Sequence, residues 1–425
     1  LISSPCLTLP PRPQALAWSE QFFDGAWVLS DYADVAAALR DPRFSVQRAA
    51  RWINSSSGAS INADKEEIVA EKDKLRVFKR ILSRSLLFID GASHRRLRRI
   101  MQAGFSAASL QQQTPRVARI IDDLIQRILA GAQRIDQDGC AAITFDFIRD
   151  FARPLPVLVI ADMLGIDINE QVDFVVAASA IASFIGTPTP TLAQSQAAQT
   201  ALLQMLDYFV DVIAQRRLAI DRDDLIGLLM RAERDGNVSA IELLAQCCTL
   251  LFAGYETTRH LLGNGLLALL RHPAQWQALQ AAPQRLPSAV RELLRYDSPV
   301  QYTGRRLKTD VLLHGRQLRK GDLVILHLAA ANRDPRRFTN AEQLDIERDE
   351  AKHLSFGAGP HVCLGASLTY MEAELAFAAL LRAMPGLSPI SDGLRWQSHA
   401  AYHGLESMPL TCPLETTLLS KTAHG

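Results

Sequence analysis

Ten residues, Phe356 to Gly365, read F-G-A-G-P-H-V-C-L-G and set one cysteine, Cys363, at the end of a glycine-rich loop. Beyond it Leu364, Leu368, Met371, Leu375, Ala378 and Ala379 recur at three- and four-residue steps, a helical pattern that stops before Pro385 and Gly386. Cys363 thus precedes a helix amino terminus, where unpaired N–H groups and the positive dipole end favour a thiolate. Gly357, Gly359 and Gly365 remove side-chain bulk, so backbone and a flat partner approach closely. A thiolate presented in this way is a soft ligand for a transition metal. The plain alternative is a small buried cysteine beside a glycine turn.

A second centre lies inside a long apolar helix. Ser239 and Glu242 form a capping box that opens it, and it runs to Arg271, ahead of His272-Pro273. Near its middle stands A-G-Y-E-T-T, Ala253 to Thr258. Glycine costs about 1 kcal/mol in a helix interior, and a buried carboxylate costs more unless it is paired. Thr257 is placed to bond back to the carbonyl of Ala253 and bend the helix. Glu256 and Thr257 together predict a groove lined by an acid and an alcohol. A kinked core helix with a satisfied glutamate is the alternative.

Three further sets of charge stand at regular spacing. His94 and Arg98 lie four apart on a helix expected from about Ser93 to Ala103, made strongly basic by Arg95, Arg96 and Arg99. Glu292 and Arg295 lie three apart on a helix ending near Tyr296-Asp297. Arg305 and Arg306 follow the short run Val300 to Gly304.

The cysteine loop resembles the haem-binding signature of the cytochrome P450 family, F-G-x-G-x-H-x-C-x-G, and fits every fixed position. A-G-x-[D/E]-T-[T/S] is also matched in full, and His94 with Arg98 and Glu292 with Arg295 match the family's H-x-x-x-R and E-x-x-R pairs. The resemblance runs from about Ala26 to Leu410. It implies a mainly α fold with small β-sheets, a single triangular prism of the P450 type, with haem between the long central helix and the cysteine-loop helix. It implies that Cys363 is the axial iron ligand and that His94, Arg98, Arg305 and His361 bind the propionates of haem b. Glu256 and Thr257 would organise proton delivery to dioxygen. Glu292 and Arg295 would be a buried structural pair. Many relatives add an arginine to that pair, where this chain carries Gln343; Arg333, Arg337 and Arg348 are the available substitutes. By family position the substrate pocket would draw on Leu86, Leu87, Phe88, Phe184, Ile185, Ala253, Val300, Tyr302 and Tyr402, which favours a small, largely apolar organic substrate. Tyr255 would narrow one side of it.

The rest of the chain must position these groups. Ala26 to Ser30 reads as a strand, and Asp31 caps a helix through Val35 and Leu39 that Asp41-Pro42 ends. Asn54 to Ser60 is a polar loop, and Asp64 to Arg84 a charged surface helix. Thr114 with Pro115 opens a helix to about Ala130, and Pro156 to Leu164 is a core helix. Phe184 to Thr191, with two prolines, reads as a mobile connection, and Leu202 to Arg217 as helix. Val311 to Gln317 and Leu323 to His327 read as small strands around His314-Gly315. Ala401 to Pro409 reads as a last turn reaching back toward a pocket.

Bulk properties narrow the class. The 425 residues are 48% hydrophobic and 21% charged with a net charge of +1, which suits a large core and gives no footprint for nucleic acid. Six scattered cysteines without a C-x-x-C pair indicate neither a zinc site nor a disulfide framework and fit a reducing cytoplasm. No apolar run reaches a membrane span, and residues 1–25 are a proline-rich lead. The resemblance leaves no room for a fused reductase. Electrons would come from a separate ferredoxin or flavodoxin with its reductase, drawn to the arginine-rich helix. A peroxide-driven haem-thiolate enzyme would need no acid–alcohol pair; a haem-bound sensor or carrier would bind carbon monoxide and oxidise nothing; a haem-thiolate isomerase is a third alternative.

Overall fold

The computed structural model describes residues 16–49, 53, 75–137, 140–167, 174–218, 222–349, 352–390 and 393–413. The residues before Leu16, the loop expected at Asn54 to Ser60 and most of the helix expected from Asp64 lie outside them.

Leu16–Ser19 (β1) and Ala26–Leu29 (β2) form a hairpin in which Trp18 meets Trp27 edge to face. Tyr32–Ala38 (α1) follows Asp31 and buries Val35, Ala36 and Ala38; Phe44–Ser45 (β3) comes next. Arg76–Leu82 (α2) is the described end of the charged segment, and Gly91–Gln102 (α3) is the basic helix.

Ala107–Gly131 (α4) begins a full two turns earlier than the sequence predicts. Ser106 is its cap, accepting from the N–H of Ser109. Thr114 caps nothing: its hydroxyl donates to the Leu110 carbonyl at 3.1 Å, and Pro115 sits inside the helix. The run of Ala, Gln and Leu before Thr114 is good helix former and outweighs the start signal of Thr-Pro.

Gln133–Gln137 (β4) and Cys140–Asp146 (β5) form a hairpin with no counterpart in the sequence reading. Pro154–Leu164 (α5) is almost wholly buried. Phe174–Gly186 (α6) carries helix through Phe184 and Ile185, so the connection to Leu192–Arg217 (α7) is only residues 187–191. Thr191 and Gln194 cap α7 reciprocally, ten residues ahead of the expected start at Leu202. Leu225–Arg234 (α8) leads to the long helix Ala240–Arg271 (α9), opened by the expected box of Ser239 and Glu242.

Pro273–Ala281 (α10) and Leu286–Tyr296 (α11) precede a small β region: Thr303–Leu307 (β6), Val311–Leu313 (β7), Arg316–Leu318 (β8) and Leu323–Leu326 (β9). His314 and Gly315 join β7 to β8 with φ of 48° and 72°, the paired positive angles of a tight hairpin turn. Leu328–Ala331 (α12) and the cysteine loop lead to Ala366–Ala383 (α13). Ser388–Pro389 (β10), Arg395–Trp396 (β11), Leu405–Ser407 (β12) and Pro409–Pro413 (β13) end the described chain.

The strands make a five-stranded sheet ordered β1-β2-β9-β6-β3 and a four-stranded sheet ordered β10-β13-β5-β4, with pairs β11-β12 and β7-β8. Among the described strands only β2 and β9 run parallel. Helix α9 is the axis of the α region: α5, α6, α7, α11 and α13 pack on it, and it buries residues on all sides from Leu243 to Leu269. Such all-round burial is what an apolar helix crossing a large interior requires. The mainly α fold with small sheets is therefore observed.

Candidate active site

A cavity of about 380 Å³ opens between α9, the cysteine loop and the five-stranded sheet. Cys363 lies on one wall, and Ala253, Gly254 and Thr257 of α9 are among its other lining residues. The loop is fixed by its own backbone: the Cys363 N–H donates to the Phe356 carbonyl at 2.8 Å. Gly357 and Gly359 take φ of 69° and 72°. At Gly359 a Cβ would stand 2.9 Å from the Leu39 carbonyl oxygen and 3.0 Å from Arg40 Cα, so only glycine fits. Gly365 caps α13, two residues beyond the sulfur.

The free thiolate expected at this helix end is not what the surroundings favour. The sulfur opens onto the cavity but lies deep in the protein. Burial pushes the thiol up, against the weaker opposing pulls of the Gly365 N–H and the Arg98 guanidinium. Removing the proton takes a cation on the sulfur itself, which a metal ion supplies. Among the described residues no group of three or more His, Cys, Asp or Glu could hold a bare metal ion, which leaves Cys363 as a single soft donor.

Positive charge gathers beside that sulfur. Arg98 lines the cavity and makes no hydrogen bond or ion pair with a described residue; burial lowers its pKa. Arg305 is 5% exposed, donates to Thr303 Oγ1 and the Gly304 carbonyl at 2.9 Å each, and has no acid within ion-pair distance among the described residues. Burial and the neighbouring Arg48 bring it down to about 9. Arg306, the next in line, is turned to the Gly321 carbonyl at 2.7 Å. His94 is buried against His361, ring centroids 4.1 Å apart. Burial first, then the charges of His361 and Arg98, lower His94 to about 4, so it enters as a neutral donor and not as a cation. His361 is held by Asp90 at 3.0 Å, an acid shared with Ser45 and Lys308.

The acid and the alcohol of α9 part company. Thr257 lines the cavity and bonds back to the Ala253 carbonyl at 3.4 Å, as expected. Glu256 does not line it: the carboxylate turns behind the helix, 2% exposed, to Arg259 Nη2 at 2.6 Å and His260 Nε2 at 3.1 Å. Burial pushes the carboxyl up, but His260, Arg259 and Gln397 outweigh it and hold it at about 2. One face of the helix turn points Thr257 inward, and the residue before it necessarily points about 100° away. Tyr255 is likewise outside the cavity, 1% exposed.

Leu86, Leu87, Phe88, Ile185, Ala253, Val300, Tyr302 and Tyr402 all line the cavity. Phe184 does not; it is fully buried against Phe78, ring centroids 5.0 Å apart, because α6 continues through it and turns it to the core. Burial pushes the Tyr402 phenol up to about 12 and raises Tyr302 as well, so both stay neutral. Arg48, unremarked in the sequence, also lines the cavity and donates to the Gly304 carbonyl at 2.9 Å.

Glu292 and Arg295 form a buried pair at 2.7 and 2.8 Å. Arg295 also donates to the carbonyls of Asn332, Ala341 and Gln343. The third member is Arg348, whose Nε stands 3.2 Å from Glu292; Gln343 contributes its backbone alone. Arg333 is used at the Tyr296 carbonyl, and Arg337 lies over Tyr32.

Among known proteins, the sequence profile described as Cytochrome P450 matches residues 56–384. The chain is 33% identical over 387 residues to Cytochrome P450 CYP107DY1 of Priestia megaterium, covering 91% of this chain and 89% of that protein. Its structure is similar to that of CalO2, with TM-score 0.79, 32% identity and 91% and 90% of the two chains covered. It is also similar to P450BioI, solved with an acyl carrier protein ligated to hexadec-9Z-enoic acid, with TM-score 0.78, 30% identity and 91% and 92% coverage. No helix among the described residues is long and apolar enough to cross a membrane. Sulfur loop, long helix and overall fold agree with these likenesses, and the chain belongs to the cytochrome P450 family of haem-dependent monooxygenases.

Proposed function

We propose that this chain uses haem b and dioxygen to hydroxylate or epoxidise a small, largely apolar molecule, taking two electrons from a separate ferredoxin or flavodoxin-type donor. The observation that carries this reading is one apolar cavity with a cavity-facing sulfur on one wall, a helix alcohol on another, and Arg98 and Arg305 also lining it, without acid partners among the described residues. A flat dianion with a metal at its centre satisfies all of these at once. Cys363 would bind the iron, and Arg98, Arg305, His94 and His361 would bind the propionates. When bound, the haem would supply the binding and reductive activation of oxygen, which an electron-rich sulfur ligand such as Cys363 would favour.

The remaining work falls to the chain. Apolar residues such as Leu87, Phe88, Val300 and Ala253 exclude water and hold the substrate's body, while Tyr302 and Tyr402 offer neutral phenols to a polar tip. Thr257 holds a hydroxyl toward the cavity, and Glu256 stores the proton-accepting carboxylate behind it. Such positioned acid and base groups contribute about 10² to 10⁴ in rate.

The test is the carbonyl difference spectrum of the reduced protein, followed by a difference-absorbance screen of apolar compounds. A thiolate-type band is expected in the natural chain and its loss in Cys363→Ser. A thiolate-type band that survives the substitution overturns the reading.

A further inference from the structure

Three cavity residues, Leu86, Leu87 and Phe88, lie on the short connection between α2 and α3, which has no helix or strand of its own. Most of its backbone donors are met close by. The N–H groups of Arg84, Ser85 and Phe88 donate to the carbonyls of Ile81, Leu82 and Ser85, and that of Leu87 donates to Ser85 Oγ at 3.3 Å. Leu86 is the exception. Its N–H donates at 2.9 Å to Gln246 Oε1, on α9 and 160 residues away. Gln246 Nε2 returns a bond to the Arg84 carbonyl at 2.8 Å and gives its second hydrogen to the Glu242 carbonyl at 3.2 Å. A second link stands one turn along, where Thr249 Oγ1 and Ser85 Oγ are 2.8 Å apart. Thr249 Oγ1 also lies 2.6 Å from the Ala245 carbonyl, which can only accept, so its one hydrogen goes there and Ser85 donates between the hydroxyls.

These contacts fix the Gln246 amide in one orientation. Turned over, it would set its oxygen against two carbonyls and its hydrogens against the Leu86 N–H. Gln246 and Ser85 are both fully buried, so the bonds are made away from bulk water. Gln246 does not line the cavity, yet Leu250, Ala253 and Thr257, at successive steps of four, three and four residues on the same face of α9, all do. One stripe of α9 thus carries the wall at one end and the cavity-facing alcohol at the other.

We propose that Gln246 is a specificity-determining residue: from outside the cavity it holds the wall of residues 86–88 to the long helix, and so sets the bulk of ligand that fits between that wall and Thr257. As regards the ligand, this rests on the monooxygenase reading above. An apolar molecule makes few directional bonds, so a cavity selects among such molecules by shape, and selection by shape needs a wall that does not yield. A wall held by van der Waals contact alone moves outward for a bulkier guest. This one must first break two amide bonds and a hydroxyl pair, all made to a helix that is itself buried on every side.

Gln246 acts through the wall and is a positioning residue, so wall and ligand are measured separately. Gln246→Met keeps the length of the side chain and removes its amide. Hydrogen–deuterium exchange over residues 83–89 is expected to quicken about a hundredfold at the Leu86 amide, with α9 beyond Thr249 unchanged. In spectral titrations of the haem-loaded protein with phenylimidazole and the longer biphenylimidazole, the ratio of dissociation constants is expected to shift about tenfold in favour of the bulkier compound. Trp276→Phe, on α10 and outside the cavity lining, removes a 3.1 Å bond to the Pro385 carbonyl; it is the control for lost stability and should leave both readings unmoved. An unchanged Leu86 exchange rate in Gln246→Met overturns the clamp. An unchanged ratio, or an equal shift in Trp276→Phe, overturns the role in specificity and leaves the monooxygenase reading standing. Should Gln246→Met fail to fold, Ser85→Ala, which cuts the link to Thr249, carries both measurements with an expected shift of about threefold. Should the natural chain show no thiolate-type band, the monooxygenase reading falls, and the exchange comparison, which reads no haem, still decides whether Gln246 holds the wall.

Discussion

Arg348 Nε stands 3.2 Å from both carboxylate oxygens of Glu292, closing a buried triad with Arg295. The side chains of Arg348 and Glu292 are 6% and 2% exposed, so removing the arginine takes a buried cation from Glu292 and leaves Arg295 as its one charged partner among the described residues. Arg348→Ala is expected to cost about 3 kcal/mol. Gln343→Ala should change stability by less than about 0.5 kcal/mol, because Gln343 offers only its backbone. Urea unfolding of both variants decides the assignment; equal losses would return the third place to Gln343.

Phe184 and Tyr402 separate core from pocket. Phe184→Leu should cost about 1 to 1.5 kcal/mol by loosening its contact with Phe78, and leave ligand affinity unchanged. Tyr402→Phe should leave unfolding unchanged and weaken ligands with a polar tip by about tenfold, the loss of one hydrogen bond to a neutral group. Spectral titration beside unfolding curves gives both numbers.

Acid should destabilise this protein early. His260, His327 and His353 are each lowered from 6.5 to about 4, burial being the largest cause. His327 Nδ1 accepts from the Ala330 N–H and His353 Nδ1 from the Ser355 N–H, bonds that a protonated ring cannot make. The unfolded chain therefore binds protons between those values that the fold refuses. Stability is full above about pH 6.5 and falls as pH drops toward about 4, by about 1.4 kcal/mol per pH unit for each such ring. His327→Gln should remove one ring's share of the slope; a pH-independent unfolding midpoint over this range would contradict the account.

On α3 the charge available to an acidic electron donor is smaller than the composition of the helix promises. Arg96 pairs with Glu242 at 2.5 Å, while Arg95 and Arg99 remain exposed. Arg95→Gln with Arg99→Gln should slow reduction by ferredoxin at low salt by about tenfold and lose the effect at high salt, whereas Arg96→Gln should act mainly on stability. Stopped-flow reduction at two ionic strengths separates the two cases.

Much of this was legible because it is local. The capping box of Ser239 and Glu242, the glycine turn before Cys363 and the i,i+3 pair of Glu292 and Arg295 are short-range patterns, and each folds as its spacing requires. What escaped is set by distant partners. The spacing of Glu256 and Thr257 predicts that both face the groove, but Arg259 and His260 on the same helix draw Glu256 to the other side. The two prolines after Phe184 predict a loop there, yet apolar contacts carry α6 to Gly186. Thr114 and Pro115 carry a start signal that the helix formers before them override. The β4–β5 hairpin is held by the last strand, β13, a pairing no window of sequence contains.

The contact between Gly359 and the carbonyl of Leu39 joins two stretches of main chain with no side chain between them. The height of the sulfur above the floor of the cavity is thus set by bare backbone. Neighbouring side chains are free to diverge as new substrates are met, while the sulfur of Cys363 keeps its station.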